Sequence, residues 1–422
     1  MIKKLLVLLL FYTSYTHAET IKTDVLVIGD SPSAVTAAIQ SARSKLKTIL
    51  IMPGAWLANG MPTGNTYVIT SNHNIPTGMW GEFEEKVKGF YKNTTGYEAP
   101  ANVTLKFEAS TGADILRKIA DTVKDLTIKL NTPFTIIKKN GTGWDVTITE
   151  NGNTNIINAK VVIDGTEKGD AVIRAGAALP PLVSHTNNVE LYRTSIATSD
   201  LLPDGFIPMR DVIIKEADNL LVTEKILPKN GNIQYLPLQM ALGQGVGTVA
   251  AYIAFFKTTN KSLKVRIAQQ ELLDFKGYLM PFADIKRDDR YIRAVQQIGA
   301  TGLLKGARKD SELLFMPSAL VITEEIKPVL TEIYSRAFLW FNKEKPVEKF
   351  TEGNLLSLIS EMTLSDPQTL QITVKNDWKG RYGFASDFDL NRPVTRLEFA
   401  VLVNRYLNPF ARTVDLQGNI VN

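Results

Sequence analysis

The feature that most constrains this chain is a strand, turn, helix and strand run near its start. Thr23 to Ile28 (TDVLVI) is apolar and β-branched, which predicts a buried strand. Gly29 to Ser33 (GDSPS) reads as a turn, and Ala34 to Leu46 has the composition and spacing of a helix. Lys47 to Met52 (KTILIM) is a second buried strand, closed by Pro53-Gly54. Together these segments form a βαβ unit. Parallel strands need a crossover helix and cover on both faces, so the expected class is α/β with a Rossmann-like domain.

Such a turn has a chemistry of its own. A helix that starts just after a strand presents backbone N–H groups and a positive dipole end to an anion, and a diphosphate suits both. Dinucleotide folds place G-x-G-x-x-G here, with an acid roughly 20 residues on for the ribose. This chain reads Gly29-Asp30-Ser31-Pro32-Ser33-Ala34. The first glycine is kept, and Ser31 and Ala34 are small. Asp30 adds a negative charge beside the proposed anion. Met52 stands where the acid belongs, and its side chain cannot accept a bond from a ribose hydroxyl. The motif alone leaves two readings open: a dinucleotide site, or a nucleotide-free unit of the same fold.

Composition removes other chemistries. The chain has 422 residues, enough for two or three domains, and no cysteine. Disulfides, thiolate nucleophiles, iron–sulfur clusters, cysteine zinc sites and a lipidated-cysteine anchor are excluded. The three histidines are His17, His73 and His185, too few for a multi-histidine site, so no metal is expected. Lys3 and Lys4, the apolar run Leu5 to Tyr12 and the small-residue end Thr16-His17-Ala18 read as a secretory signal peptide cleaved after Ala18. The protein is therefore expected to be exported, to the periplasm or beyond. The formal net charge is +5, and residues 1–18 hold two of the lysines. That small excess does not point to nucleic acid. No later segment reads as a transmembrane helix.

Further along, Trp80 to Tyr91 and Ser110 to Val123 are predicted helices, and 56–76 reads as loop. Lys139-Asn140-Gly141-Thr142-Gly143 marks a hairpin within Leu126 to Ile148. Asn155 to Ile163 is a strand ending in Asp164-Gly165. Residues 171–220 read as irregular, and Asn219 to Val222 as a short strand. Leu238 to Phe256 is an apolar helix opened by glycines, and from Ser262 the chain is mostly helical. The domains are drawn as 1–18 signal peptide, 19–275 with inserted substrate segments, and 276–422 as a mainly helical C-terminal domain.

Four segments, in order over residues 22–272, resemble the FAD-dependent oxidoreductases of the glutathione-reductase-like class. They are Asp24 to Asn59, Val161 to Ala177 (VVIDGTEKGDAVIRAGA), Ile207 to Leu227 (IPMRDVIIKEADNLLVTEKIL) and Leu236 to Tyr252 (LPLQMALGQGVGTVAAY). The resemblance implies FAD as cofactor and a small-molecule substrate. It implies that Gly29, Ser31 and Ala34 line the diphosphate turn and that Met52 sits beside the adenosine ribose. Asn59 and Gly60 would approach the flavin, and Asp164 and Gly165 would form the second crossing. Gly243, Gln244, Gly245 and Gly247 would open a helix whose positive end faces the flavin; the plainer reading of that run is tight helix packing. The family's arginine after its "AG" is replaced here by Thr223-Glu224-Lys225. No catalytic residue stands out. His73 and His185 are candidate proton donors, and Trp56, Trp80 and Tyr67 could stack on substrate, although core packing explains aromatics as well.

Residues 281–342 and 377–410 resemble surface-layer-homology repeats, through Phe282-Ala-Asp284-Ile285, Phe315-Met-Pro317 and Pro393-Val-Thr-Arg-Leu-Glu-Phe-Ala400. That resemblance implies a cell-wall polysaccharide, or a protein, as partner of the C-terminal domain. Three functional readings follow: an exported FAD-dependent oxidoreductase, a cofactor-free envelope protein on the same fold, and an NAD-dependent dehydrogenase. The last leaves the late glycine helix without a role.

Overall fold

The computed structural model describes residues 19–421 apart from 58, 59, 63, 73, 93, 95–104, 184–190, 229–231 and 311. The βαβ unit is present as β1 (Thr20–Ile28), α1 (Pro32–Arg43) and β2 (Thr48–Ile51). It is followed by β3 (Thr66–Ile69), α2 (Gly78–Tyr91), β4 (Leu105–Glu108), α3 (Ala109–Asp121) and β5 (Leu126–Lys129). The hairpin forms as β6 (Phe134–Asn140) and β7 (Gly143–Glu150), and β8 (Asn153–Asp164) continues it. Then come α4 (Asp170–Arg174), β9 (Ser195–Thr198), β10 (Phe206–Pro208), β11 (Leu220–Val222), α5 (Leu236–Phe255) and α6 (Val265–Asp274).

One sheet organises this half in the order β5-β2-β1-β8-β7-β6. β8 is long enough to serve two neighbours on one edge. Its Asn153–Ala159 stretch pairs antiparallel with β7, and its last residues, Val162–Asp164, pair parallel with β11. In register, Ile28 lies beside both Ile51 and Asp164, and Val222 beside Asp164. Lys129 of β5 lies beside Ile51 in turn, so the five parallel strands end together, at the edge where α/β sheets bind ligands.

Two parts differ from the sequence reading. β3 lies inside the stretch read as loop and pairs with β4, Tyr67 opposite Phe107. Its buried–exposed alternation is too short to show a period, and its partner is far along the chain. The 171–220 stretch likewise contains β9 and β10, an antiparallel pair.

α1 and α5 cross at close range, and α1 is buried from Pro32 to Ala42. A Cβ on Gly243 would lie 2.1 Å from Ser33 O and from Thr36 Oγ1, and one on Gly247 would lie 2.5 Å from Ala37 O. Gly245 abuts Ile196 O of β9 in the same way, at 2.2 Å.

The second half contains α7 (Ile292–Gly299), the hairpin strands β12 (Ala307–Lys309) and β13 (Glu312–Leu314), then α8 (Thr323–Ile333), α9 (Ser335–Glu344), α10 (Glu352–Thr363), α11 (Pro367–Asp377) and α12 (Arg396–Tyr406). Three short extended segments precede α8, α10 and α12, and they bond to one another in a closed cycle. Val321 N–H donates to Val394 O at 3.0 Å, Phe350 N–H to Val321 O at 3.0 Å, and Val394 N–H to Phe350 O at 2.8 Å. All three residues are fully buried. α10 and α12 open with capping boxes, Thr351 with Asn354 and Thr395 with Glu398, while α8 has Ile322 at that position and no side-chain cap. The middle unit, the Phe350 segment with α10, falls between the two stretches that the sequence marks as repeats.

Arg193, 2% exposed, joins the halves: it forms a two-pronged pair with Glu332 at 2.7 and 2.8 Å and donates to Thr301 O and Gly418 O.

Two predictions follow from this packing. Gly243→Val drives a branched side chain into Ser33 and Thr36, and urea unfolding should register a loss of about 3 kcal/mol. The second concerns Glu352, which is buried beside Glu398, with Arg392 against both carboxylates. Burial raises its carboxyl to about 7 from 4.5, against the lowering pull of the Asp389 N–H and Arg392, with Glu398 adding to the rise. A raised carboxyl favours the neutral folded form. Its contribution is full below its unfolded value and is lost as pH climbs through the folded one. The urea midpoint should therefore fall between about pH 5 and about pH 8, and Glu352→Gln should flatten that slope. An unchanged slope in the variant refutes the assignment.

Candidate functional site

At the shared end of the parallel strands, the turn after β1 meets the end of β8. Gly29 has φ +137°, and a Cβ there would lie 2.5 Å from Gly165 O, so only glycine serves. Gly165 N–H donates to Ile28 O at 2.8 Å, and its own Cβ position is 2.5 Å from the Ala34 Cβ. Ser31 caps α1: its Oγ accepts the Ala34 N–H at 3.1 Å and donates to Gly165 O at 2.9 Å. Pro32 brings no N–H, which leaves Ser33 as the first-turn residue whose N–H is neither missing nor capped. The Ser33 hydroxyl donates to Thr223 Oγ1 at 2.7 Å, tying α1 to the end of β11.

Asp164 is fully buried at the end of β8. It accepts from the Thr166 N–H and hydroxyl at 3.0 and 2.7 Å and from the Val172 N–H at 2.9 Å. Burial pushes its carboxyl above the ordinary aspartate range despite those donors. Its role in the structure is to hold the turn into α4. Met52 closes β2, with no exposed surface, its carbonyl accepting the Thr132 N–H at 2.7 Å. Gly60 lies on the glycine turn, its Cβ position 2.5 Å from Asp30 O and 2.9 Å from Pro32 Cδ. The structure thus gathers Gly29, Ser31, Ala34, Gly60, Asp164 and Gly165 in one place, with Met52 at the end of the next strand.

The late glycine run is placed differently from the resemblance. α5 opens at Leu236-Pro237, so Gly243, Gln244, Gly245 and Gly247 lie inside the helix, not at its positive end. Proline at a first turn and small residues at a helix crossing explain both facts. Gln244 works as a bolt: its amide donates to Gln40 Oε1 and Phe275 O, each at 3.1 Å, and its carbonyl accepts the Met79 N–H at 2.9 Å. Tyr67 and Trp80 are core residues, linked through Phe107 and Phe83. Trp56 donates to Ala113 O at 2.9 Å under the Arg117 guanidinium. Asn59, His73, His185 and the 1–18 segment with His17 lie outside the described residues.

Sequence reasoning missed the residues around the true start of α5. Gln234 accepts from the N–H groups of Thr70 and Ser71 at 2.8 and 3.1 Å and donates to Val68 O at 2.7 Å, clamping β3 to this end. Glu224, 1% exposed, accepts from Gln239 Nε2 at 3.1 Å. Through Gln239, this carboxylate is held against the first turns of α5. No local signal in the sequence marks Gln234 or Glu224 for this role.

Residues 24–180 match the family model described as FAD dependent oxidoreductase. That match supports FAD as the cofactor of this fold. No curated protein matches the sequence. Among solved structures, Thermovibrio ammonificans THI4 is 14% identical over 55% of this chain and 89% of its own, with a TM-score of 0.35. The p-nitrophenol 4-monooxygenase PnpA from Pseudomonas putida DLL-E4 is 10% identical over 38% of this chain and 44% of its own, TM-score 0.28. The bacillithiol disulfide reductase Bdr (YpdA) from Bacillus cereus is 16% identical over 42% and 46%, TM-score 0.25. The chain spans less than half the length of the last two.

The main-chain frame fits FAD. The glycine cradle at Gly29 and Gly165, the α1 N-terminus and the common strand ends stand where a diphosphate is held. The side chains contribute less, because Ser31 spends its hydroxyl internally and Met52 offers no acceptor. Ser31→Ala should lose about 1 kcal/mol in urea unfolding as the cap disappears, and Ser31→Gly only a few tenths.

Proposed function

We propose that this chain is an exported FAD-dependent oxidoreductase acting on a small-molecule substrate. The observation that carries this is the strand, glycine turn and helix frame with Gly29 at φ +137° seated on Gly165. Gly29, Ser31 and Ala34 would hold the diphosphate, Gly165 the crossing chain, Met52 the adenosine side and Gly60 the approach toward the ring. When bound, FAD supplies hydride or electron acceptance, so the protein need only bind, orient and keep water out. The charged and apolar start at Lys3 to Tyr12 supports export.

A second reading is favoured by Ser31, which caps α1 from within the protein, and by Glu224, a carboxylate that Gln239 holds beside α5. On it, the chain is a cofactor-free envelope protein that binds polysaccharide or a protein partner through its C-terminal domain. The cycle of three strand–helix units is the feature that supports a separate binding module.

The absorption spectrum of the purified protein, taken before and after FAD addition and gel filtration, separates the two. A retained flavin band is the expected result. Ser31→Gly with Met52→Glu frees the first turn and restores a ribose acceptor, so FAD should bind at least tenfold tighter than to the wild type. A bare spectrum in both proteins sinks the first reading, and retention on purified cell-wall polysaccharide would then carry the second.

A further inference from the structure

We infer that the sheet edge opposite the glycine turn is a docking surface for an anionic phospholipid bilayer. α5 ends there in an exposed aromatic pair, Phe255 at 67% and Phe256 at 52% exposure, with Ile267 of α6 at 43%. The two phenyl rings meet edge to face at 5.0 Å, and Phe256 leans on Tyr252 at 4.7 Å. Between the ends of α1, α5 and α6 runs a groove of about 250 Å³, walled by Ala251, Tyr252, both phenylalanines and Ile267. Large apolar side chains left open at a helix end, contiguous and around a groove, are uncommon on a soluble surface that has no partner.

The rim of this patch is cationic. Lys257 follows the aromatic pair, Lys264 precedes α6, and Lys45 follows Ser44 at the groove wall; all three are exposed, and none forms an ion pair among the described residues. Lys261 reaches the Asp218 carboxylate at 3.2 Å, and the Lys139 ammonium donates to the carbonyl of the same residue. The carboxylate in the groove, Glu271, accepts from the Ser44 hydroxyl at 2.9 Å. Asn219, just before β11, donates to Thr258 O at 3.2 Å, which fixes this loop to the starting edge of the strands. The patch is therefore remote from Gly29 and Gly165, and substrate binding does not explain it.

Charge selects the occupant. In a two-fold pair of this chain the same lysines would face each other across the contact, which repels. A bilayer carrying phosphatidylglycerol offers negative headgroups to the lysine rim and an apolar layer to the phenylalanines, the combination that holds interfacial segments on membranes.

The test is co-sedimentation of the purified chain with phosphatidylglycerol/phosphatidylcholine vesicles against pure phosphatidylcholine vesicles, at low and high salt. Binding to the anionic vesicles, weakened by salt, is the expected result. Phe255→Ser with Phe256→Ser, and separately Lys257→Glu with Lys264→Glu, should each lower the bound fraction about tenfold. Both pairs are on the surface, and a thermal melt matching the wild type confirms that they fold. Absence of sedimentation at low salt overturns the inference, as does binding that neither double variant changes. A dimer in light scattering that Phe255→Ser with Phe256→Ser dissociates also overturns it, in favour of a second copy.

Discussion

Everything in the first half is positioned by the crossing of α1 and α5. Gly243 and Gly247 remove the side chains that would keep the helices apart, and α1 comes to rest with its carbonyl groups against α5. That contact sets the angle at which α1 leaves the turn and so where Gly29, Ser31 and Ser33 stand over the ends of the strands. Gln244, on the same face of α5, extends the arrangement to α2 and to Phe275 O. From there Gly78 N–H bonds Lys276 O at 2.8 Å and Tyr278 N–H bonds the Thr77 hydroxyl at 2.7 Å, so the chain enters its second half already anchored.

The edge of the sheet shows how a nucleotide frame can be altered without changing its backbone. Close packing still requires glycine at 29 and 165. The polar groups around them, however, are largely satisfied by the protein: Ser31 serves α1, Thr166 and Val172 serve Asp164, and Gln239 serves Glu224. Buried donors and acceptors must have partners whether or not a ligand is present. Where a ligand's oxygen atoms would satisfy them, this chain has partly supplied its own.

The parts of this architecture that the sequence revealed share a physical reason. β1, α1, β2 and the hairpin around Gly141 carry their information locally, in β-branched runs and turn chemistry. β3 does not, because four residues with two buried are below any period. The start of α5 is legible in Pro237, yet the glycine run at 243–247 also fits a helix opening. Gln234 and Glu224 had no local signal at all; their importance arises from which strand ends and helix ends the fold brings together. The three-unit cycle of the C-terminal half was hidden for a related reason. Its contacts are single-residue bridges, and the middle unit is preceded by the charged run Lys343 to Lys349, which carries no strand pattern.

That cycle has a consequence for how the C-terminal half can vary. Each of Val321, Phe350 and Val394 gives one hydrogen bond and receives one, so the arrangement has no first or last member. A stacked array of repeats can gain or lose a copy at its end and keep the rest intact. Here a deletion anywhere leaves a buried donor and a buried acceptor without partners, and a fourth copy finds neither. The number three is therefore enforced by stoichiometry.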